Sequence, residues 1–232
     1  RAVVGAAVAV GLGVSGTAQA QDEDPWWRQD TTKSRANFEM RYGVINLVDE
    51  DIQRVYSSSP ANLLQMEMGP QIFRVAEVDL SFGFLQELSY SIASDGQVSS
   101  ERTMMTWWPL GIDVTGRAHI LDEQPAVPFV RYGWDYIIWS ERNDDGFGGK
   151  NVVHGGKFGT HVGLGVDLLL DLVAPGRASL LEAQTGINDS WLSVEWRRQA
   201  VDGRDSPWSG PDTENALSFG GDAVLIGLKI DW

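Results

Sequence analysis

The sequence contains no cysteine and few basic residues. Its 232 residues include 18 Lys and Arg against 32 Asp and Glu, which gives a formal net charge of −14 at pH 7. A chain without cysteine forms no disulfide bond and no thiolate–metal site. No cluster of lysines and arginines is present, although proteins that bind nucleic acid normally carry such a basic patch. These absences exclude a disulfide-stabilised domain and argue against a nucleic-acid-binding protein.

Long apolar runs are also scarce, and the one near the N-terminus is short. Arg1 is followed by about 13 largely apolar residues, then by small residues ending in Ala18-Gln19-Ala20. A helix that spans a membrane needs roughly 20 apolar residues, so the alternative of a buried or spanning helix is disfavoured. A positive end, a short apolar core and an A-x-A site predict a secretory signal peptide over residues 1–20, cleaved after Ala20. No later stretch approaches 18 consecutive apolar residues, so we expect a secreted protein, a periplasmic protein or an outer-membrane barrel.

Glycine and tryptophan are abundant, with 26 and 10 residues, and the rest of the chain alternates with a period of two. In the clearest segment, Leu80, Phe82 and Phe84 alternate with Ser81 and Gly83. Every alternating segment has one apolar and aromatic face, and a second face of glycine, serine and charged residues. Their length suits tilted strands that cross a membrane. The segments cover residues 36–47, 62–73, 80–92, 103–116, 126–139, 157–170, 188–199 and 217–232.

We predict an all-β fold, an eight-stranded antiparallel up-and-down transmembrane β-barrel over residues 36–232. A periplasmic segment over residues 21–35 precedes it. A soluble β domain alternates in the same way, because a half-buried strand has the same period. The segments exceed the usual strand length of about 5–6 residues, and the last one ends on the aromatic Trp232. Both features favour the membrane barrel. The alternative is an exported soluble β-barrel that binds an apolar ligand.

The connections between the predicted strands are mostly polar. If the mature N-terminus is periplasmic, the outer loops cover residues 48–61, 94–102, 140–156 and 200–216. The inner connection 172–187 contains Pro175-Gly176 and the helix-forming stretch 178–183, which predicts a short helix under the barrel or at the membrane interface. Asn143-Asp144-Asp145 suggests a calcium loop, but the EF-hand spacing is missing, so we interpret it as a solvated loop.

Twelve charged residues or histidines lie on the predicted inner face of the barrel. The interior of an eight-stranded barrel is just wide enough for side chains to fill it, so these residues predict a network of paired charges. A second interpretation is a narrow polar pore, which would prefer cations because acids outnumber bases. The candidates are Glu39, Arg41, Glu67, Glu87, Asp113, Arg131, Asp135, His161, Asp167, Glu195, Arg197 and Lys229.

Six tryptophans suggest aromatic girdles at the two membrane interfaces. The alternative is ordinary packing in the core of a soluble β domain. The residues are Trp107, Trp108, Trp134, Trp139, Trp191 and Trp232.

The sequence gives little support to an enzyme. An outer-membrane lipid hydrolase needs a serine, a histidine base and an orienting acid. The chain has three histidines, His119, His154 and His161, and no G-x-S-x-G motif. We expect no catalytic residue, no metal site and no cofactor.

Residues 157–188 carry the most distinctive pattern in the sequence. It comprises Lys157-Phe158-Gly159-Thr160-His161-Val162-Gly163-Leu164-Gly165, then Leu169-Leu170-Asp171, Pro175 and Thr185-Gly186-Ile187-Asn188. The chain resembles a family of small outer-membrane β-barrel proteins found chiefly in myxobacteria and related bacteria. The resemblance covers residues 26–232 and is most specific over residues 157–196, which include Glu195-Trp196. It implies an outer-membrane barrel, and it brings no ligand-binding or catalytic residue to this chain.

These patterns together indicate a protein of the outer membrane of a Gram-negative bacterium, exported through a cleaved signal peptide. We expect a structural or permeability role, as a conduit for small solutes, ions or hydrophobic compounds. The expected partners are outer-membrane lipid and, in transit, periplasmic chaperones and the barrel-assembly machinery.

Overall fold

A computed structural model shows one closed β-barrel in which each strand pairs with its neighbours in sequence and the first strand pairs with the last. The model describes residues 35–56, 60–72, 75–92, 98–119, 124–144, 149–201 and 218–232. The predicted signal peptide over residues 1–20 lies outside these residues, and so does the N-terminal segment except for Arg35. All strand pairs are antiparallel, which confirms the predicted eight-stranded up-and-down barrel.

Eight strands and two short helices are described along the chain. The strands are β1 (Ala36–Leu47), β2 (Ala61–Ile72), β3 (Ala76–Ile92), β4 (Val98–Arg117), β5 (Ala126–Asp144), β6 (Lys150–Leu169), β7 (Asp189–Ala200) and β8 (Gly221–Asp231). The helices are α1 (Glu50–Tyr56), between β1 and β2, and α2 (Pro175–Thr185), between β6 and β7. We call the barrel end that holds the start of β1 and the end of β8 the lower end, and the opposite end the upper end.

The four central strands are longer than the sequence predicted. Strands β3 to β6 have 17, 20, 19 and 20 residues, whereas β1, β2, β7 and β8 have 11 or 12. The predicted outer loops 94–102 and 140–156 are therefore wrong, since most of their residues belong to two long hairpins. The prediction failed there because polar residues occupy both faces of these strand ends, which removes the contrast that marks a half-buried strand.

The register shows how far the strands are staggered around the barrel. From Met40, the path of paired residues through β2 to β5 arrives at Phe158 on β6. The path in the other direction, through β8 and β7, arrives at Leu168. The barrel therefore closes with a stagger of ten residues along β6. Stagger and strand tilt are linked, so the interior rows of neighbouring strands are offset in height.

An apolar belt surrounds the outer wall of the barrel. Its side chains lie at alternate positions on all eight strands and are exposed, because they have no protein neighbour outside the wall. Large exposed members include Met40, Tyr42, Met66, Met68, Leu80, Phe82, Ile112, Val114, Val130, Trp134, Val162, Leu164, Trp196, Val224, Ile226 and Leu228. Charged residues of the same strands face inwards instead. A soluble barrel has its apolar side chains inside and its charged side chains outside, so this arrangement argues against the exported soluble β-barrel.

Strands β3 to β6 continue above the belt as a four-stranded sheet. We call this part the upper sheet; it comprises residues 86–92, 98–106, 140–144 and 150–156. The paired strands β2 and β7 reach only as far as Leu63 opposite Leu85 and Ala200 opposite Thr160. The upper sheet is therefore a partial wall, not a continuation of the closed barrel.

Helix α2 confirms the short helix predicted between β6 and β7. Pro175 stands in its first turn, where its fixed φ suits a helix start. Gly186 ends the helix in the left-handed conformation, with φ 74°, and its N–H donates to the Glu182 carbonyl. None of its residues is buried, so α2 lies on the surface of the lower end. Neither described helix has the length and hydropathy required to cross a membrane.

Candidate functional site

The interior of the barrel holds the candidate site, and the structure places eleven of the twelve predicted lumen residues there. Each of the eleven is at most 4 % exposed, although they carry charged or titratable groups. Burying a charge is costly unless it is paired and hydrogen-bonded, so the partners of these groups decide what the interior does. Glu87 is the exception, since it is only partly buried at the upper mouth, apart from the other eleven.

The middle of the barrel contains an ion-pair layer of three arginines and three glutamates. Glu195 on β7 is its centre, because Arg131 and Arg197 each donate to it at 2.8 Å and Arg41 also donates to it. Arg131 reaches Glu67 at 2.9 Å and Glu39 at 3.2 Å, and Arg41 also pairs with Glu67. Three positive and three negative groups balance, and the layer crosses the whole lumen.

A second ion-pair layer lies below the first. Lys229 donates to both carboxylate oxygens of Glu77 at 2.6 Å. Arg117 pairs with Glu77 at 3.0 Å, with Asp167 at 2.9 Å and with Asp231 at 3.2 Å. The guanidinium of Arg117 also lies 4.9 Å from the ring centre of Trp191, whose indole N–H donates to Asp231 at 2.9 Å. The lower exit is therefore filled by charges that bind each other.

Three members of the lower layer, Glu77, Arg117 and Asp231, were missed in the sequence analysis. Glu77 falls between the predicted strands 62–73 and 80–92, and Arg117 falls one residue beyond the predicted end of its strand. Both have the same parity as the inward residues of their strands, so extending the alternation by a few residues finds them. Asp231 lies in the last predicted strand with the same parity as the candidate Lys229, and it was omitted from the candidates.

A histidine between two carboxylates forms a separate cluster above the middle layer. His161 on β6 places Nδ1 2.8 Å from Asp135 and Nε2 3.0 Å from Asp113. Gly133 on β5 is paired with His161, and a Cβ there would lie 2.0 Å from the Asp113 carboxylate. The cluster fits here because Gly133 has no side chain. Both ring nitrogens face carboxylates, so the arrangement lacks the serine that a hydrolase triad needs.

The upper third of the interior is mainly apolar, although Lys157 and Thr103 are also buried at this height. Trp107 and Phe219 lie with ring centres 4.5 Å apart, and Trp139 packs on Phe219 at 5.6 Å. The remaining buried apolar members of this upper layer are Ile45, Ala61, Leu63, Leu85, Met105, Ile137, Val201, Ala223 and Leu225.

Helix α1 closes the upper layer from above, a feature the sequence analysis did not predict. Ile52 and Tyr56 on one side of the helix are buried in the layer. The Tyr56 hydroxyl lies 2.9 Å from the Thr103 hydroxyl, and burial raises the pKa of the Tyr56 phenol, which keeps it neutral. Asp49 accepts from the N–H of Ile52 at 3.0 Å, as an N-cap, and from the N–H of Ser218 at 2.7 Å. The helix is thus attached to the chain on both sides of the mouth.

The tryptophan girdle predicted from the sequence is half wrong. Trp134 and Trp232 are exposed on the outer wall, and Trp108 is partly exposed there. Trp107 and Trp191 are buried inside the barrel, and Trp139 packs on the upper layer. Strand parity could have shown this, because these three residues share the parity of the charged inner face on β4, β5 and β7.

The other two histidines lie at opposite ends of the barrel. His154 is exposed on the upper sheet, and His119 lies at the lower end with its ring 5.9 Å from Trp191. Strand β5 extends through Asp144 in the stretch that suggested a calcium loop, and Asp145 lies outside the described residues. Across the described part of the chain, no group of three His, Cys, Asp or Glu side chains is arranged to hold a metal ion.

Comparison with known proteins identifies the fold. No protein-family model matches the sequence, and no curated protein matches it. Outer membrane protein OprG from Pseudomonas aeruginosa superposes with a TM-score of 0.52 at 8% identity, covering 87% of this chain and 98% of that chain. Neisserial surface protein A gives 0.49 at 12% identity, covering 85% and 97%. Ail of Yersinia pestis, solved with the heparin analogue sucrose octasulfate, gives 0.49 at 6% identity, covering 87% and 100%. The protein has the fold of the small eight-stranded outer-membrane β-barrels.

Proposed function

We propose that this protein is a structural outer-membrane barrel with a closed interior, which anchors the upper sheet outside the cell. The carrying observation is that two ion-pair layers and one apolar layer fill the interior in series. The apolar belt supplies the surface that outer-membrane lipid contacts. Export would take the chain past periplasmic chaperones to the barrel-assembly machinery.

The filled interior argues against a conduit for ions or small solutes. A conducting pore needs a wet path in which charged groups face water. Here Arg41, Arg131 and Glu195 are at most 2 % exposed, and both arginines pair with Glu195. Removing one layer leaves the other two in place, so a single substitution is expected to leave the barrel closed.

The test is conductance in planar bilayers after folding has been verified. A boil-dependent mobility shift on a detergent gel, in the outer-membrane fraction, reports an intact barrel. We expect this shift and no steady conductance for the mature protein, and the same for Tyr56→Ala, which disrupts only the upper layer. Stable conductance steps from the wild-type protein would overturn the proposal. Recovery of the protein in the soluble periplasmic fraction would overturn the membrane location.

A conduit for hydrophobic compounds is the second candidate, and the apolar upper layer favours it. Trp107, Phe219 and Met105 offer an apolar surface under α1, but the ion-pair layers bar an apolar molecule from continuing downwards. Transfer of an apolar fluorescent dye into vesicles that contain the protein separates the two candidates. Transfer that Tyr56→Ala accelerates supports the conduit, and transfer equal to that of protein-free vesicles supports the closed barrel. No catalytic role is proposed.

A further inference from the structure

The upper sheet separates its charges by sign between its two faces. Because side chains alternate along a strand, even-numbered residues of β3 to β5 face outwards and odd-numbered residues face inwards. The outer face carries Arg102 and Arg142, and Asp144 is the one carboxylate described there. The inner face carries three glutamates and, among its described side chains, no lysine or arginine. The three are Glu87, Glu101 and Glu141.

The sign of the outer face is an exception in this protein. The chain as a whole has a net charge of −14, whereas the described side chains of the outer face are net positive. Arg102 is exposed and Arg142 is half-buried. A basic surface on an acidic chain indicates an anionic partner, and the position of the surface decides which kind of anion it meets.

The outer face continues the apolar belt upwards on the same strands. The belt ends there in an aromatic row, in which the ring centres of Phe84 and Trp108 lie 6.5 Å apart. The next row is polar, because Gln86 donates to Thr106 at 3.4 Å and Thr106 pairs with Ser140. Aromatic side chains followed by polar ones are typical of the boundary between hydrocarbon and headgroups. In an inserted barrel, the residues above these rows therefore meet the headgroups of the outer leaflet.

Arg142 lies too high for the phosphate of an ordinary phospholipid. It follows Ile138, which pairs with Trp108 in the aromatic row, by four residues on β5. Four residues span about 13 Å along a strand, or about 10 Å in height at a strand tilt of roughly 40°. The headgroup layer of a phospholipid leaflet is only about 5–8 Å thick. A headgroup built of sugars extends further from the hydrocarbon and reaches this height.

The neighbours of Arg142 leave its charge to an external partner. In the ladder it lies between Met104 on β4 and Val152 on β6, which are both apolar. Asp144 lies two residues further along β5, where it is opposite Arg102. The carboxylate therefore offsets charge mainly in the row of Arg102. Arg142 is the cation of this face that is best placed to bind an anion from outside.

We propose that the outer face of the upper sheet binds the phosphorylated saccharide headgroup of an outer-leaflet lipid, with Arg142 and Arg102 on the phosphate. This proposal rests on the proposed function, since it requires the belt to lie in the outer membrane and the upper sheet to stand outside. A guanidinium matches phosphate geometry with two parallel hydrogen bonds. Tyr90 pairs with Arg102 and is 48 % exposed, so its ring offers a flat surface beside the phosphate to a sugar.

The direction of the face favours a lipid over a soluble acidic protein. The face looks away from the barrel axis, towards the surrounding leaflet, and it is continuous with the belt that lipid already contacts. Lipid headgroups surround an inserted barrel permanently, whereas a soluble partner would first have to displace them. The lipid is therefore the occupant that the position of Arg142 selects.

Native mass spectrometry of the mature protein in detergent micelles tests the proposal. The probe is a rough lipopolysaccharide whose inner-core sugars carry phosphate. The two control lipids are the same molecule without its core phosphates and phosphatidylglycerol. We expect the probe to bind at least about fivefold more tightly than either control, because each arginine near an anionic surface contributes about this factor. Equal affinity for the probe and either control would overturn the proposal.

Two substitutions on the outer face should change the affinity in opposite directions. Arg142→Gln removes a cation and should weaken binding of the probe about fivefold. Asp144→Asn removes the carboxylate of this face and should strengthen binding about twofold to fivefold. Arg177→Gln, at an exposed position on α2 at the lower end, is the matched control and should bind within about twofold of wild type.

The site is refuted if Arg142→Gln binds the probe as wild type does, or if Arg177→Gln weakens binding equally. A glutamate-rich peptide is a second probe. Binding of this peptide that depends on Arg142, without binding of the lipopolysaccharide, would assign the face to a soluble acidic partner and overturn the proposal.

The outcome is independent of the test of the closed barrel. None of the three variants touches the interior layers, so each should keep the boil-dependent shift and the absence of conductance. Lipopolysaccharide binding that does not depend on Arg142, in a closed and inserted barrel, would refute the headgroup site alone. Stable conductance together with Arg142-dependent binding would refute the closed barrel alone.

Discussion

Glu195 on β7 and Arg131 on β5 meet across the lumen at 2.8 Å, with both side chains at most 2 % exposed. Glu195 also receives Arg41 and Arg197, so three guanidinium groups depend on one carboxylate. Removing one member of a buried ion pair leaves its partner as an uncompensated buried charge. A single substitution in the middle layer is therefore expected to lower the stability of the barrel.

Glu195→Ala is expected to destabilise the barrel by about 3–5 kcal/mol. The three arginines would retain Glu39 and Glu67 as counter-charges, with a net positive charge left in the layer. Urea unfolding in phospholipid vesicles measures the loss. Glu50→Ala, at an exposed position on α1, is the matched control and should change stability by no more than about 0.5 kcal/mol. Equal stability of Glu195→Ala and wild type would show that the layer does not hold the barrel together.

Gly133→Ala tests the cluster around His161. The added methyl would lie 2.0 Å from Asp113 and 2.2 Å from the His161 ring, neither of which has room to move in the filled lumen. Overpacking of this kind costs about 1–3 kcal/mol. Gly116→Ala is the control, because its nearest neighbour is 3.7 Å away, and we expect it to be neutral or slightly stabilising. Gel-shift melting curves of the two variants should separate; coincident curves would contradict the assigned packing.

The faces of the strands could be predicted from the sequence, because a period of two distinguishes inward from outward residues. Arg41, Glu67 and Glu195 were assigned inwards on this basis alone. Their pairing could not be predicted, since Arg131 and Glu195 lie two strands apart and meet only through the stagger and tilt of the closed barrel. The order of the three layers in the interior could not be predicted for the same reason.

The predictions were wrong at two kinds of position. At strand ends the two faces differ little in polarity, and some tryptophans were assigned by residue type although the parity of their strand indicates the opposite face. The ends of β4, β5 and β6 have polar residues on both faces, so they were taken for loops. Trp107 and Trp139 were placed at the membrane interface by residue type, although their odd numbers match Asp113 and Asp135 on the inner face. Helix α1 has too little apolar periodicity in seven residues to be recognised, and its burial depends on the barrel mouth beneath it.

Asp171, in the turn below β6, makes the stability of the folded protein depend on pH. Burial raises the pKa of its carboxyl to about 6, although hydrogen bonds from Ser190 partly oppose this. The folded state then holds a proton more tightly than the unfolded chain, whose aspartate has a pKa of about 3.9. The sign follows from linkage: this contribution to stability is present at about pH 4 and is lost as the pH rises through about 6.

We therefore expect Asp171→Asn to gain stability relative to wild type as the pH rises from 4 to 7. Urea unfolding at several pH values measures the difference. Ser190→Ala keeps the carboxyl and serves as the control, so its pH dependence should keep the direction of the wild-type dependence. A wild-type and an Asp171→Asn curve that run parallel from pH 4 to 7 would refute this assignment.

Leu228→Arg tests the position of the apolar belt against the membrane. Leu228 is 56 % exposed on the outer wall and lies between Ile226 and Ile230 on β8, in the middle of the belt. An arginine at the bilayer midplane of a barrel costs about 2–4 kcal/mol, falling to about 0–1 kcal/mol near the interface. Leu88→Arg is the matched control, because Leu88 is 72 % exposed in the upper sheet, above the belt. Unfolding in lipid vesicles should show a large loss for Leu228→Arg and little for Leu88→Arg. Similar losses at both positions would place Leu88 in lipid as well, and the upper sheet would then not stand clear of the membrane.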